Sequence, residues 1–161
     1  GREMTDTARP TYGFRQLNEL DALGVDHLCS LFTIEMGGEQ LYEALAARMT
    51  DDRAAELLRR NGREEAGHAR RLVRAIAIKL GAEFEPSPEM RTTRPVRLPE
   101  VVDVAFFETV VQGEFDGDAG YQRWADNEPD PEVERLLRLN GREETLHGQR
   151  VQDVLEILRA G

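Results

Sequence analysis

The chain has 161 residues and a formal net charge of −10, with 32% of its residues charged. That length suits one domain with a proper core, and the acidity argues against a basic nucleic-acid footprint and against attraction to an anionic membrane surface. A single cysteine, Cys29, excludes a disulfide framework and any Cys-x-x-Cys metal knuckle.

Residues 1–20 read as an N-terminal extension, polar and interrupted by Pro10 and Gly13, partly a tag or flexible. Gly1-Arg2-Glu3 ahead of Met4 has the look of a cloning remnant. From about Asp21 to Met49 the apolar residues Leu28, Leu31, Phe32, Leu41 and Leu45 recur at helical spacing, which predicts a first helix. Thr50-Asp51-Asp52 is an N-cap signal for a second helix that runs to about Leu80 and stops at Gly81. Residues 82–99 hold Pro86, Pro88, Pro95 and Pro99, so this stretch reads as a long connection. A third helix is expected from Pro99, as its first helical position, to Ala125. Asn127-Glu128-Pro129-Asp130-Pro131 is a turn, and a fourth helix runs on to about Arg159.

The predicted architecture is all-α: a four-helix bundle over 21–161, built from hairpins 21–81 and 100–160 joined by the crossover 82–99. Eighteen extended residues reach up to ~60 Å. A helix of about 28 residues is ~42 Å long at ~1.5 Å per residue, so the crossover can run the length of the bundle. No apolar run is long enough to span a bilayer and no signal-peptide pattern appears, so the expected address is the cytoplasm.

The two hairpins repeat each other. Residues 57–68 read LLRRNGREEAGH and residues 136–147 read LLRLNGREETLH, an offset of 79. Over 35–72 against 114–151, 15 of 38 positions are identical. Each copy carries a Glu and, thirty residues later, Glu-x-x-His: Glu35 with Glu65 and His68, then Glu114 with Glu144 and His147. Residues three apart on a helix share a face, so each Glu-x-x-His can reach one ion, and the facing helix adds a carboxylate. Four glutamates and two histidines make a ligand set for two metal ions inside a bundle. Imidazole with carboxylate suits iron or manganese, with zinc a further candidate. The competing explanation, a duplicated solvated face, is weakened by apolar neighbours such as Leu31, Phe32, Ile34, Val110 and Val111, among which a bare carboxylate is costly.

Other residues were weighed against the same pattern. Asn61 and Asn140 lie four residues before Glu65 and Glu144. With Gly62 and Gly141 they suggest an irregular turn or π-bulge, an outer hydrogen-bonding layer around the ligands, or close helix packing. Arg63 with Glu64 and Arg142 with Glu143 read as surface ion pairs. His27 lacks a Glu partner and reads as structural, and Trp124 as a core anchor.

Over about residues 21–159 the chain resembles the rubrerythrin branch of the ferritin-like superfamily, whose long crossover joins helices two and three. In that family each first-type helix gives a Glu and each second-type helix gives Glu-x-x-His, which map onto Glu35, Glu65, His68, Glu114, Glu144 and His147. A Tyr seven residues after the first Glu also matches, as Tyr42 and Tyr121, and implies phenols that hydrogen-bond ligating carboxylates. Two departures stand out. The rubredoxin-type Cys-x-x-Cys module is missing, and the extra carboxylate usual three residues after the third helix's Glu is Gly117 here. Asp118 and Glu39, one residue further on, are candidates for an outer carboxylate.

The resemblance implies two metal ions per bundle, iron first, with manganese or a mixed iron–manganese pair as alternatives. It implies an oxidoreductase of rubrerythrin type that reduces hydrogen peroxide or dioxygen with electrons from a separate donor protein, working as a homodimer. Glu65 and Glu144 are expected to bridge the ions, Glu35 and Glu114 to bind terminally, and each His to cap one ion. The alternatives are a ferritin-like ferroxidase that handles iron and a non-catalytic bundle stapled by metal.

Overall fold

The computed structural model describes residues 12–161, so the remnant expected at 1–3 lies outside the described residues. Among the described residues six helices follow in order: α1 Phe14–Asn18, α2 Val25–Ala47, α3 Asp52–Leu80, α4 Pro88–Arg91, α5 Val104–Asp126 and α6 Pro131–Ala160. There is no strand among the described residues. The long helices α2, α3, α5 and α6 form a ferritin-like four-helix bundle, with α2 packed on α3, α5 on α6, and α3 on α6.

The helix boundaries follow their caps. Asp51 and Asp130, equivalent in the repeat, each accept two backbone N–H groups at the starts of α3 and α6. Gly81 ends α3 at φ 69°, a left-handed conformation that glycine adopts without a Cβ penalty. His27 caps α2 by accepting the Gly24 N–H at 2.9 Å, a structural role. The third long helix starts later than Pro99 suggests. Asp103 caps it by accepting from the Phe106 N–H, so α5 begins at Val104 and the crossover runs through residue 103. A side-chain cap outweighs a proline's favourable φ here. The crossover also contains α4, whose Met90 is fully buried.

Residues 13–20, expected within the extension, are folded onto the bundle. Leu17 is fully buried, and Trp124 donates its indole N–H to the Leu20 carbonyl at 2.9 Å.

The core has two parts. One joins Leu28, Leu31 and Phe32 with Leu72, Ile76, Trp124 and Leu137. The other joins Tyr42, Leu45, Leu58, Phe107, Val151 and Leu155. In antiparallel helices these residues occupy opposite ends of the bundle. Between them, at the middle of all four helices, lies a layer of buried Glu, His and Asn.

Candidate metal centre

Each long helix contributes to that layer: Glu35 from α2, Glu65 and His68 from α3, Glu114 from α5, and Glu144 and His147 from α6. All six are buried, the four glutamates at 4–7% exposure and both histidines at 0%. The structure brings them into two overlapping groups of candidate ligand atoms. One is Glu35, Glu65, His68 and Glu144; the other is Glu65, Glu114, Glu144 and His147. Within each group the ligand atoms lie within 4.8 Å of one another. Glu65 and Glu144 belong to both.

The inward nitrogen of each ring is Nδ1. His68 Nδ1 sits 3.0 Å from Glu35 and 3.1 Å from both Glu65 and Glu144. His147 Nδ1 sits 3.2 Å from Glu65, 3.4 Å from Glu114 and 3.5 Å from Glu144. The two rings stack, with centroids 5.2 Å apart.

Several of these atoms are close to one another without being hydrogen-bonded. Glu65 Oε1, Glu144 Oε1 and His147 Nδ1 are buried and have no hydrogen-bond partner. Orphaned buried polar atoms are costly. These three converge on the space between the helices, which is what ligand atoms aimed at a cation do. The donor set, carboxylate and imidazole, suits iron or manganese. The residues present therefore fit a dinuclear carboxylate site.

Burial and repulsion set the protonation of the metal-free cluster. Burial, then the charge of Glu65, raises the pKa of Glu35, Glu114 and Glu144 above the ordinary carboxylate range. Burial opposes ionisation of Glu65 too, but the two imidazoles beside it overcome that and hold this carboxyl low. Burial depresses His68 and His147, yet the surrounding carboxylates win and raise both well above an ordinary imidazole.

An outer layer orients these groups, and it is crossed between the hairpins. Tyr42 donates its hydroxyl to Glu114 Oε2, and Tyr121 donates to Glu35 Oε2 at 2.8 Å. Burial, then Glu114 and Glu35 respectively, raises both phenols well above their usual pKa, so they remain donors. Asn61 donates to the His147 carbonyl at 3.1 Å, and Asn140 to the His68 carbonyl at 3.3 Å. Both asparagines thus tie α3 to α6. The helices run unbroken through Asn61-Gly62 and Asn140-Gly141, so of the three alternatives there the irregular turn or π-bulge is absent. The glycines serve close packing: a Cβ at Gly62 would lie 3.3 Å from Tyr42, and one at Gly141 2.9 Å from Tyr121.

One reading of the sequence is corrected. Glu64 and Glu143 are not simply members of surface ion pairs. Glu143 Oε1 lies 2.9 Å from His68 Nε2, and Glu64 Oε1 lies 3.0 Å from His147 Nε2. Arg71 fixes Glu143 at 2.9 Å and Arg150 fixes Glu64 at 2.8 Å. Each arginine also donates to the neighbouring Asn, at 3.1 Å to Asn140 and 3.0 Å to Asn61. Hydrogen bonding with His68, and then Arg71, holds Glu143 down to about 2 against partial burial; His147 and Arg150 do the same for Glu64. The signal was in the repeat, since Arg71 and Arg150 extend the pattern to Glu-Glu-x-x-His-x-x-Arg in both copies. What the sequence could not show is that the leading Glu of each copy crosses to the histidine and arginine of the other.

Asp118 does not join the ligand groups; it accepts from Thr145 Oγ1 and Gln122 Nε2. Glu39 is likewise outside them. Gly117, at the position where the resemblance places an extra carboxylate, and its counterpart Gly38 leave room instead. A Cβ at Gly38 would overlap Glu65 Oε2, and one at Gly117 would lie 2.7 Å from Glu144 Oε2.

The family model for rubrerythrin matches residues 26–155, which takes in all four long helices and all six candidate ligands. No curated protein and no solved structure matches the chain.

Proposed function

The chain belongs to the rubrerythrin family, and we propose that it is a diiron oxidoreductase that reduces hydrogen peroxide, or dioxygen, with electrons from a separate donor protein. The observation that carries this reading is the sharing of Glu65 and Glu144 between two four-residue ligand groups. Two ions held by these residues would supply one electron each to an O–O bond.

The chain's own residues prepare that chemistry. Glu65 and Glu144 would bridge, with Glu35 and His68 on one ion and Glu114 and His147 on the other. Glu143 and Glu64 accept the Nε2 protons, which turns each Nδ1 inward as a ligand. Tyr42 and Tyr121 hold Glu114 and Glu35 by one oxygen each and keep their own protons. The apolar cores above and below the layer exclude water along the bundle axis. Reduction of hydrogen peroxide to two waters takes two electrons, which the donor returns, and two protons from solvent. Manganese fits the same ligands, and a homodimer is the expected assembly.

Anaerobic loading with two Fe(II) per chain, followed by stopped-flow mixing with hydrogen peroxide or dioxygen, tests the proposal. Faster oxidation by peroxide, with turnover when a reductant is added, is the expected result. Faster oxidation by dioxygen with continued uptake beyond two irons per chain would replace it with a ferroxidase.

A further inference from the structure

The ligands repeat almost perfectly, but what covers them does not. On one side, between α2 and α5, a cleft of about 200 Å³ has walls of Gly38, Leu41, Val110 and Gly113 and ends on Glu65 and Glu114. Gly113 at its mouth is exposed. Shifted by the repeat offset, the same four positions are Gly117, Gly120, Leu31 and Ile34. There Gly117, Gly120 and Leu31 are buried, and Ile34 stands where the first side has no side chain. A Cβ at Gly120 would lie 2.7 Å from Asn18 Oδ1 and 3.4 Å from the Trp124 ring. Asn18 is the last residue of α1, which Arg123 clamps in place by donating to Asn18 Oδ1 at 3.0 Å and to the Leu20 carbonyl at 3.2 Å.

We propose that a small neutral oxidant reaches the centre through the cleft at Leu41 and Gly113, on the His147 side, while α1 and Ile34 close the equivalent passage on the His68 side. This rests on the metal reading of the centre. Size and polarity set the class of molecule admitted. A water takes about 30 Å³ in the liquid, so the cleft admits hydrogen peroxide or dioxygen with room to spare. Sites for drug-sized organic ligands start near ~300 Å³, above this volume. The walls are apolar, and stripping an ion of water there is costly, which favours uncharged molecules. Tyr42, itself buried, lines the cleft's inner end, so the Tyr42–Glu114 hydrogen bond faces the arriving oxidant.

Gly113→Ile gives the open side the residue of the closed one, and a Cβ at Gly113 meets nothing within 4 Å, so the branch point itself is free of clash. Two readouts are taken: equilibrium Mn(II) binding, and the stopped-flow association rate of nitric oxide with the Fe(II)-loaded protein. We expect Gly113→Ile to bind Mn(II) within about twofold of the parent and nitric oxide at least about tenfold more slowly. Leu41→Ala should speed nitric oxide association severalfold and raise the rate with cumene hydroperoxide, a bulkier oxidant. Ile34→Ala should change the nitric oxide rate by less than about twofold, because Asn18 of α1 still covers Gly120 on that side. An unchanged rate in a Gly113→Ile protein that binds Mn(II), or an equal response to Ile34→Ala, would overturn the route. If Gly113→Ile lost Mn(II) binding, Leu41→Ala would decide, and no acceleration there would overturn it. Failure of the parent protein to bind Mn(II) would overturn the metal reading and the route together.

Discussion

The His68 half and the His147 half of the centre are built from the same parts and differ in what surrounds them. Each has its own Glu, a shared pair of glutamates and an inward Nδ1, with Nε2 held by a Glu from the opposite hairpin that an Arg of the histidine's own helix fixes. Around them, α1 lies against Gly120 on the His68 half, and the His147 half opens on the Gly113 cleft. The repeat therefore extends only as far as the ligands and their hydrogen-bond partners. Two ions that must share charge need matched ligands. Admission of a substrate does not need two doors, and the second copy's counterpart was free to become core.

The comparison is broken most severely at the shared ligands. Glu65→Ala or Glu144→Ala removes a carboxylate from both halves, and should abolish stabilisation by metal. A single bound ion at 100 times its Kd adds about 2.7 kcal/mol, or roughly 5–10 °C in Tm for a domain of this size. Melting curves with and without Mn(II) should show that gain in the parent and not in either variant. Glu114→Ala, by contrast, should leave one ion at the His68 half.

The crossed outer layer offers a sharper division. Glu143→Gln should weaken the ion beside His68, and Glu64→Gln the ion beside His147, each by about 10–100-fold. Site-resolved paramagnetic NMR of the histidine rings would check which half responds. A response confined to the mutated residue's own hairpin would contradict the crossing.

A smaller effect is expected at the glycines. Gly38→Ala and Gly117→Ala push a methyl into the space of Glu65 and Glu144 and should lower Mn(II) affinity several-fold, while the metal-free Tm holds or rises because Ala favours helix over Gly by about 0.5–1 kcal/mol. Gly37→Ala is the control, since its Cβ meets nothing within 4 Å. Equal loss of affinity in Gly37→Ala would show that helix stiffness, not room for the carboxylates, sets the effect.

The mildest test is pH. Glu64 and Glu143 are held down to about 2 in the folded chain. Lowered carboxylates stabilise the fold above their unfolded pKa, about 4.3, and lose that contribution as pH falls toward 2. Metal-free stability should therefore decline across that window, and less so in the Glu64→Gln, Glu143→Gln double variant, by chemical denaturation at stepped pH. Glu35, Glu114 and Glu144 have the opposite sign. Their raised pKa values favour the metal-free fold at low pH, and metal must displace those protons, so metal affinity should climb with pH.

Much of this was legible in the sequence for physical reasons. Helix ends were marked by Asp51, Gly81 and Asp130, and the ligand faces by the three-residue spacing of Glu65 with His68 and Glu144 with His147. Where the reading stopped was at relations between distant segments. Tyr42 and Tyr121 could be placed on the ligand face, but not paired with the Glu of the opposite hairpin. Glu64 and Glu143 look like solvated helix charges until α3 and α6 pack antiparallel and bring Arg150 and Arg71 across. Phe14–Asn18 is too short and too weakly periodic to announce a helix, and gains its order from Trp124 and Arg123. Pro99 suggested a helix start because local φ preference is visible in sequence, whereas the Asp103 cap that wins is visible only with its partner.

The most direct test of the central claim, a pair of ions shared by Glu65 and Glu144, is the stoichiometry of anaerobic Fe(II) binding to the metal-free protein. The account predicts saturation at two per chain in the parent and loss of the two-ion endpoint in Glu65→Ala. Saturation at one ion, no saturable binding, or an unchanged two-ion endpoint in Glu65→Ala would contradict it.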